Sequence, residues 1–189
     1  MFREDYSLIL DFMPTGYSTS FKKEPVAQAM GDSFFTLLEL ITKEGVSLRL
    51  RDRVYIGPEV REHVNSVRGR LDYNDLTTTA KNELPGAIEQ VIRANEQKYV
   101  DFYNKAGAVT VRQHTLEMLP NVGKKHLMAI LEAREKKPFE SFVDVKERVK
   151  LLPDPVKLLT DRIIEELKGT TKNHLFARPP QREDFDRRY

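Results

Sequence analysis

The chain has 189 residues, of which 40% are hydrophobic and 32% charged, with a formal net charge of +2. That length holds one large domain or two small ones, and the composition is that of a globular protein with a heavily charged surface. The complete absence of cysteine excludes disulfides, thiolate zinc sites, iron–sulfur clusters and a cysteine nucleophile.

No apolar run reaches the length of a bilayer span, so no membrane partner is expected. The start Met1-Phe-Arg-Glu-Asp5 lacks the pattern of a secretion signal, and the expected location is cytoplasmic. Charge is unevenly divided. Residues 1–107 hold 14 basic and 16 acidic side chains, whereas the remainder holds 17 and 13, so the second part is the more basic one.

The first part reads as strands. Tyr6–Met13 is a short apolar run stopped by Pro14, Thr15 and Gly16, which predicts a buried strand. Tyr17–Glu24 reads as an exposed loop. Phe34–Ile41 follows a Gly31-Asp32-Ser33 turn signal and predicts a strand, with Lys43-Glu44-Gly45 as a hairpin turn into the next one. That next stretch, Ser47–Gly57, alternates Leu48, Leu50 and Val54 with Arg49, Arg51 and Arg53. Val67–Tyr73 alternates again, with Arg68 and Arg70 opposite the apolar residues. Several short strands in this length suggest a compact OB-like β-barrel. The five arginines fit either a solvated sheet face or a groove that tracks a nucleic-acid backbone, with Tyr55 or Tyr73 available to stack on a base.

From Thr77 the period changes to three and four residues, through Leu84, Ile88, Val91, Ile92, Tyr99, Phe102 and Tyr103. This predicts one long amphipathic helix, started or kinked at Pro85 and ended by Gly107. Thr110–Gln113 has capping-box spacing and predicts a further helix up to Leu119. The turn Pro120-Asn121-Val122-Gly123 follows, then a helix from Lys124 to Lys136. Ser141 is positioned to cap a third helix, and a fourth carries Leu159, Ile163 and Leu167 and is closed by Gly169. The last twenty residues, with Arg178-Pro179-Pro180, Phe176, Phe185 and Tyr189, lack either period and read as an extended charged tail.

The turn after Leu119 is the one stretch whose chemistry can be read directly. A glycine that opens a helix lets another molecule's backbone come close, and the helix's first amides have no intrahelical acceptor. Asn121, Val122, Gly123, Lys124, Lys125 and His126 therefore form a candidate phosphate site. Leu152-Pro153 repeats Leu119-Pro120 33 residues on, and Lys157 falls over Lys124. In that second copy Asp154, Pro155 and Val156 replace the glycine turn, and it is expected to be structural only.

These residues resemble the helix-hairpin-helix motif, a sequence-independent nucleic-acid binder. The pair of hairpins with its Pro138-Phe139 connector is similar to the tandem helix-hairpin-helix domain of DNA-uptake receptors and nuclease subunits. The whole layout resembles a family of uncharacterised archaeal proteins predicted to bind nucleic acid, often described as RNA-binding. The resemblance implies an α+β protein of two domains, an OB-like β-barrel with a long helix over 1–107 and an all-α tandem helix-hairpin-helix domain over 108–169, followed by the tail 170–189. It implies RNA or DNA as partner, with another protein a possible partner of the tail.

Catalysis finds little support. In DNA glycosylase-lyases a lysine at the place of Lys125 forms a Schiff base with help from an aspartate, and Asp144 falls one residue late for that role. His63, His114, His126 and His174 are scattered without metal-ligand spacing. No cofactor and no metal are expected.

Overall fold

The computed structural model describes residues 3–18, 23–110 and 113–177. Five strands, β1 (Tyr6–Met13), β2 (Val26–Gly31), β3 (Leu37–Thr42), β4 (Arg53–Tyr55) and β5 (Val64–Arg70), form an antiparallel sheet in the order β4-β1-β2-β3-β5. The sheet curls into a half-barrel, and among the described residues no ladder closes β4 onto β5. Its core face carries Ile9, Ala27, Ala29, Leu38, Leu40, Val54 and Val64, joined by Leu48 and Ile56 from the adjoining loops. The two alanines on the central strand leave room for larger side chains on its neighbours, as a curled sheet requires.

Strand β2 is buried along its whole length. Periodicity gives no sign of it, because Ala, Gln and Gly are poor strand formers and a strand covered on both faces does not alternate. The other face of β2 carries Gln28, fully buried and fully satisfied. Its Nε2 donates to the Tyr17 hydroxyl and to the Asp75 carbonyl, each at 3.1 Å, and its Oε1 accepts the Thr77 amide at 2.8 Å. Thr77 then caps helix α1 (Thr78–Ala94) by accepting the Ala80 amide.

Several boundaries differ from expectation for local reasons. Residues 47–52 are not strand: Arg51 adopts φ +67°, and the Asp52 carboxylate accepts the Arg49 amide at 2.8 Å. The partner of β3 beyond the Lys43–Gly45 turn is β5 rather than the segment that follows directly. Helix α1 runs through Pro85 without stopping there. It ends at Asn95, whose side-chain amide donates to the Val91 carbonyl at 2.9 Å. A second helix, α2 (Glu96–Lys105), follows.

The expected all-α domain after residue 107 is not what the chain forms. Helices and strands are interspersed: Ala108–Thr110 (β6) pairs with Gln113–His114 (β7), and the hairpin's first arm is only a 3-10 helix, Thr115–Met118. β-branched Val109 and Thr110 favour extension there. The cap falls later than Thr110, at His114. Its Nδ1 accepts the Leu116 amide at 3.1 Å, while Glu117 accepts the His114 amide at 3.0 Å. Val111 and Arg112, within the expected capping box, lie outside the described residues.

Helix α3 (Lys124–Lys136) matches its expected extent; α4 (Phe142–Arg148) has Ser141 as its expected cap, and α5 (Pro155–Leu167) carries Leu159, Ile163 and Leu167, with Gly169 closing at φ +69°. The chain divides into two compact units. One is the chain up to Ala87 together with the chain from Glu165 on, and the other is Ile88–Ile164. Beyond α5, the buried Glu166 carboxylate accepts the amides of Leu175, Phe176 and Ala177. Arg178-Pro179-Pro180, Phe185 and Tyr189 of the expected tail lie outside the described residues. No helix is long and apolar enough to cross a membrane among the described residues.

Candidate nucleic-acid interface

The hairpin turn is built from its apolar anchors outward. Leu116, Leu119, Val122, Leu127 and Ile130 are buried, so the turn between the 3-10 helix and α3 is pinned on both sides. Buried Arg162 on α5 adds a polar strut, donating from Nη1 to the Met118 carbonyl at 2.9 Å. The Val122 amide closes the turn on the Leu119 carbonyl at 3.2 Å. What remains exposed is Asn121, Gly123, Lys124 and Lys125, with His126 half-buried.

The conformational roles within the turn are divided between Asn121 and Gly123. Asn121 takes the left-handed conformation, φ +62°, which Asn tolerates better than most residues. Gly123 is extended, φ −92° and ψ −179°, which any residue can adopt. Its distinction is steric: among the described residues a Cβ built there meets nothing within 4 Å beyond its chain neighbours and the helix's own backbone, so the missing side chain leaves open space beside the helix start. His126 donates from Nδ1 to the Asn121 carbonyl at 3.1 Å and so lies across the turn.

Gly123 is the N-cap of α3 and has no side chain to cap with. The first intrahelical bond is from the Leu127 amide to the Gly123 carbonyl, at 2.9 Å. The amides of Lys124, Lys125 and His126 precede it and have no intrahelical acceptor, at the positive end of the helix dipole. Among the described residues neither Lys124 nor Lys125 has an ion-pair partner.

The second copy is arranged otherwise. The Asp154 carboxylate accepts the amides of Val156 and Lys157, both at 3.0 Å, and so fills the place an anion would take. Lys157 is held by both oxygens of Asp161, at 2.9 and 3.0 Å. Val156 is buried. Donors and charge are thus committed internally.

A family model described as "Protein of unknown function (DUF655)" matches residues 3–178. The chain belongs to the DUF655 family. The uncharacterized protein MJ0038 of Methanocaldococcus jannaschii is 39% identical over 173 residues, covering 92% of this chain and 78% of that protein. The crystal structure of Af1531 from Archaeoglobus fulgidus is similar at a TM-score of 0.88 and 48% identity, covering 93% of this chain and all of that one.

In this DUF655 protein the arginines of the first unit are mostly engaged. Arg51 pairs with Glu83 at 3.0 Å, and Arg53 pairs with Asp32 at 2.8 Å while lying 3.5 Å over the Tyr6 ring. Arg68 bridges Glu39 at 2.9 Å and Glu24. Arg49 is exposed on the loop before β4, and Arg70, which is also engaged, lies at the end of β5 beside a cavity. Tyr55 packs edge-on against Tyr6, and Tyr73 has Lys81 and Lys168 over its ring, so both rings already have neighbours. Four of the five arginines are exposed, but so is Leu50 on the apolar side of the pattern, and spacing cannot show that carboxylates stand beside the arginines.

Asp144, the aspartate weighed for lyase chemistry, accepts the Glu140 amide at 3.0 Å and pairs with Arg148 at 3.0 Å. It closes a local structure around the Phe139 ring, over which the Arg148 guanidinium lies at 4.7 Å. Arg134, which sequence reasoning passed over, donates to the Tyr103 and Ala106 carbonyls at the end of α2. Burial lowers the pKa of its guanidinium below the ordinary value.

Proposed function

We propose that the protein binds the phosphate backbone of nucleic acid without reading its sequence, through the hairpin centred on Gly123 and without catalysis. The observation that carries this reading is the start of α3: amides without intrahelical acceptors, open space where Gly123 lacks a side chain, and two lysines free of ion-pair partners among the described residues. A phosphate oxygen accepts from such amides, and the lysine ammonium groups add charge-assisted contacts. Contacts of this kind position a strand and carry no base information. RNA is placed ahead of DNA because of the family resemblance drawn from the sequence.

A lyase role for Lys125 gains no support, because Asp144 is committed to Arg148 and the Glu140 amide. A filter-binding panel of single- and double-stranded RNA and DNA at two salt concentrations tests the reading. RNA is retained at low salt and released steeply as salt rises. Retention of none of the four at low salt rejects it.

A further inference from the structure

The unpaired edges of the curled sheet enclose a second site, away from the hairpin in sequence and in the other compact unit. A cavity of about 400 Å³ is lined from both edges: Ile56 follows β4, while Val67 and Arg70 lie on β5. Arg3 and Arg61 join Arg70 on its walls, and Glu4 is the one carboxylate among the described lining residues, whose formal charges sum to +2. Such a volume is that of a pocket for a small organic ligand rather than a channel for a continuing strand.

Two of the charged groups, Glu4 and Arg61, are built into place. Glu4 is 7% exposed, and its carboxylate accepts the amides of Ser33, Phe34 and Thr36 at 2.9, 3.0 and 3.2 Å. Gly31 makes room for it, since a Cβ there would sit 2.1 Å from the Glu4 carboxyl carbon. Glu4 thus organises the wall and has its oxygens occupied. Arg61 is anchored by Nε to the Gly57 carbonyl at 2.8 Å and by Nη1 to the Asn65 carbonyl at 3.5 Å. Leu38 and Ile56, both buried, supply an apolar floor.

We propose that this cavity binds a nucleoside 5′-phosphate, either a free mononucleotide or the terminal nucleotide of a strand. A phosphomonoester carries about −1.5 to −2 charge at neutral pH, which matches the lining, and guanidinium groups recognise phosphate with paired donors. The apolar floor suits the face of a ring. The hairpin requires only a bridging phosphate, so the two sites ask for different chemistry and stand independently.

The test titrates the full chain with AMP, adenosine and inorganic phosphate, following binding by calorimetry and by the backbone amide resonances of Thr36, Ser66 and Val67. AMP binds at least about tenfold more tightly than adenosine or phosphate alone, and those resonances shift. Arg3→Gln weakens AMP by about tenfold. Ser66→Trp, placed on an exposed cavity-lining position, blocks it. Lys124→Gln/Lys125→Gln leaves AMP affinity unchanged, which separates this site from the hairpin. A 5′-phosphorylated RNA that outcompetes both AMP and its 5′-hydroxyl counterpart identifies a strand end as the source; equal affinity for AMP identifies the free nucleotide. Adenosine binding as well as AMP, unmoved resonances at millimolar AMP, or unchanged affinity in Arg3→Gln overturns the proposal, and the last two decide it even if Ser66→Trp fails to fold.

Discussion

The carboxylate of Asp154 accepts the backbone amide of Lys157 at 3.0 Å, and with it the amide of Val156. At the corresponding place 33 residues earlier stands Asn121, whose carbonyl accepts from His126 and whose conformation turns the chain toward Gly123. The two hairpins share a Leu-Pro entry and a lysine in the first helical turn, yet one satisfies its helix start internally and the other leaves it open. This contrast gives Asp154 a structural role and is why the proposed binding role falls to the turn at Gly123.

Asp154→Ala removes the cap of α5 and costs about 1 kcal/mol of stability, read as a lower urea midpoint. Nucleic-acid affinity at fixed salt stays unchanged. A loss of affinity with no loss of stability would place the anion site in the second hairpin instead.

Asn121 carries the strained backbone of the turn before α3. Asn121→Val forces a β-branched residue to φ +62° and costs about 1–2 kcal/mol, whereas Asn121→Gly is tolerated. Thermal unfolding of the two variants checks the order. Equal melting temperatures would mean that the turn relaxes to another conformation.

In the proposed site the lysines set the salt dependence. Replacing Lys124 and Lys125 by Gln lowers the slope of log affinity against log salt by about 0.7–0.9 for each phosphate no longer neutralised. Lys157→Gln leaves the slope alone, because Lys157 is already paired with Asp161. Fluorescence anisotropy across a salt series measures both.

His114 links this region to pH. Burial holds its imidazole pKa below the ordinary 6.5, and the nearby Arg134 charge lowers it further, against a smaller opposing effect of Glu117. The folded state therefore favours the neutral ring, whose Nδ1 accepts the Leu116 amide. This contribution to stability is present above the unfolded value near 6.5 and is lost as pH falls through the lower folded value. Urea midpoints between pH 8 and pH 5 should fall on the acid side, and His114→Asn, which keeps an acceptor, should flatten that fall.

How much of this was legible in the sequence depended on whether the signal was local. β1 and helices α3 to α5 follow from periodicity and caps within one segment, as do Ser141 and Gly169 at their helix ends. β2 left no local trace because it is covered on both faces and rich in alanine. The expected all-α domain failed at Ala108–His114, where pairing between two very short strands outweighs the helical spacing that seemed to begin at Thr110. The arginines were placed on the surface, but their partners Asp32, Glu39 and Glu83 come from distant segments that no spacing reveals. At the hairpin the residues were legible: Asn121 takes the left-handed turn, and Gly123, which is extended, contributes its missing side chain.

Gly123 supplies the most direct test. Gly123 is extended, and a Cβ there meets no protein atom within 4 Å, so Gly123→Val folds with a stability change of about 1 kcal/mol or less. Its side chain would occupy the space that a phosphate backbone needs. The measurement is RNA affinity of Gly123→Val against the wild type by anisotropy at low salt, with melting curves to confirm the fold. A drop of at least about tenfold with the fold retained is the predicted result. Unchanged affinity in the folded variant would contradict a phosphate site at this hairpin.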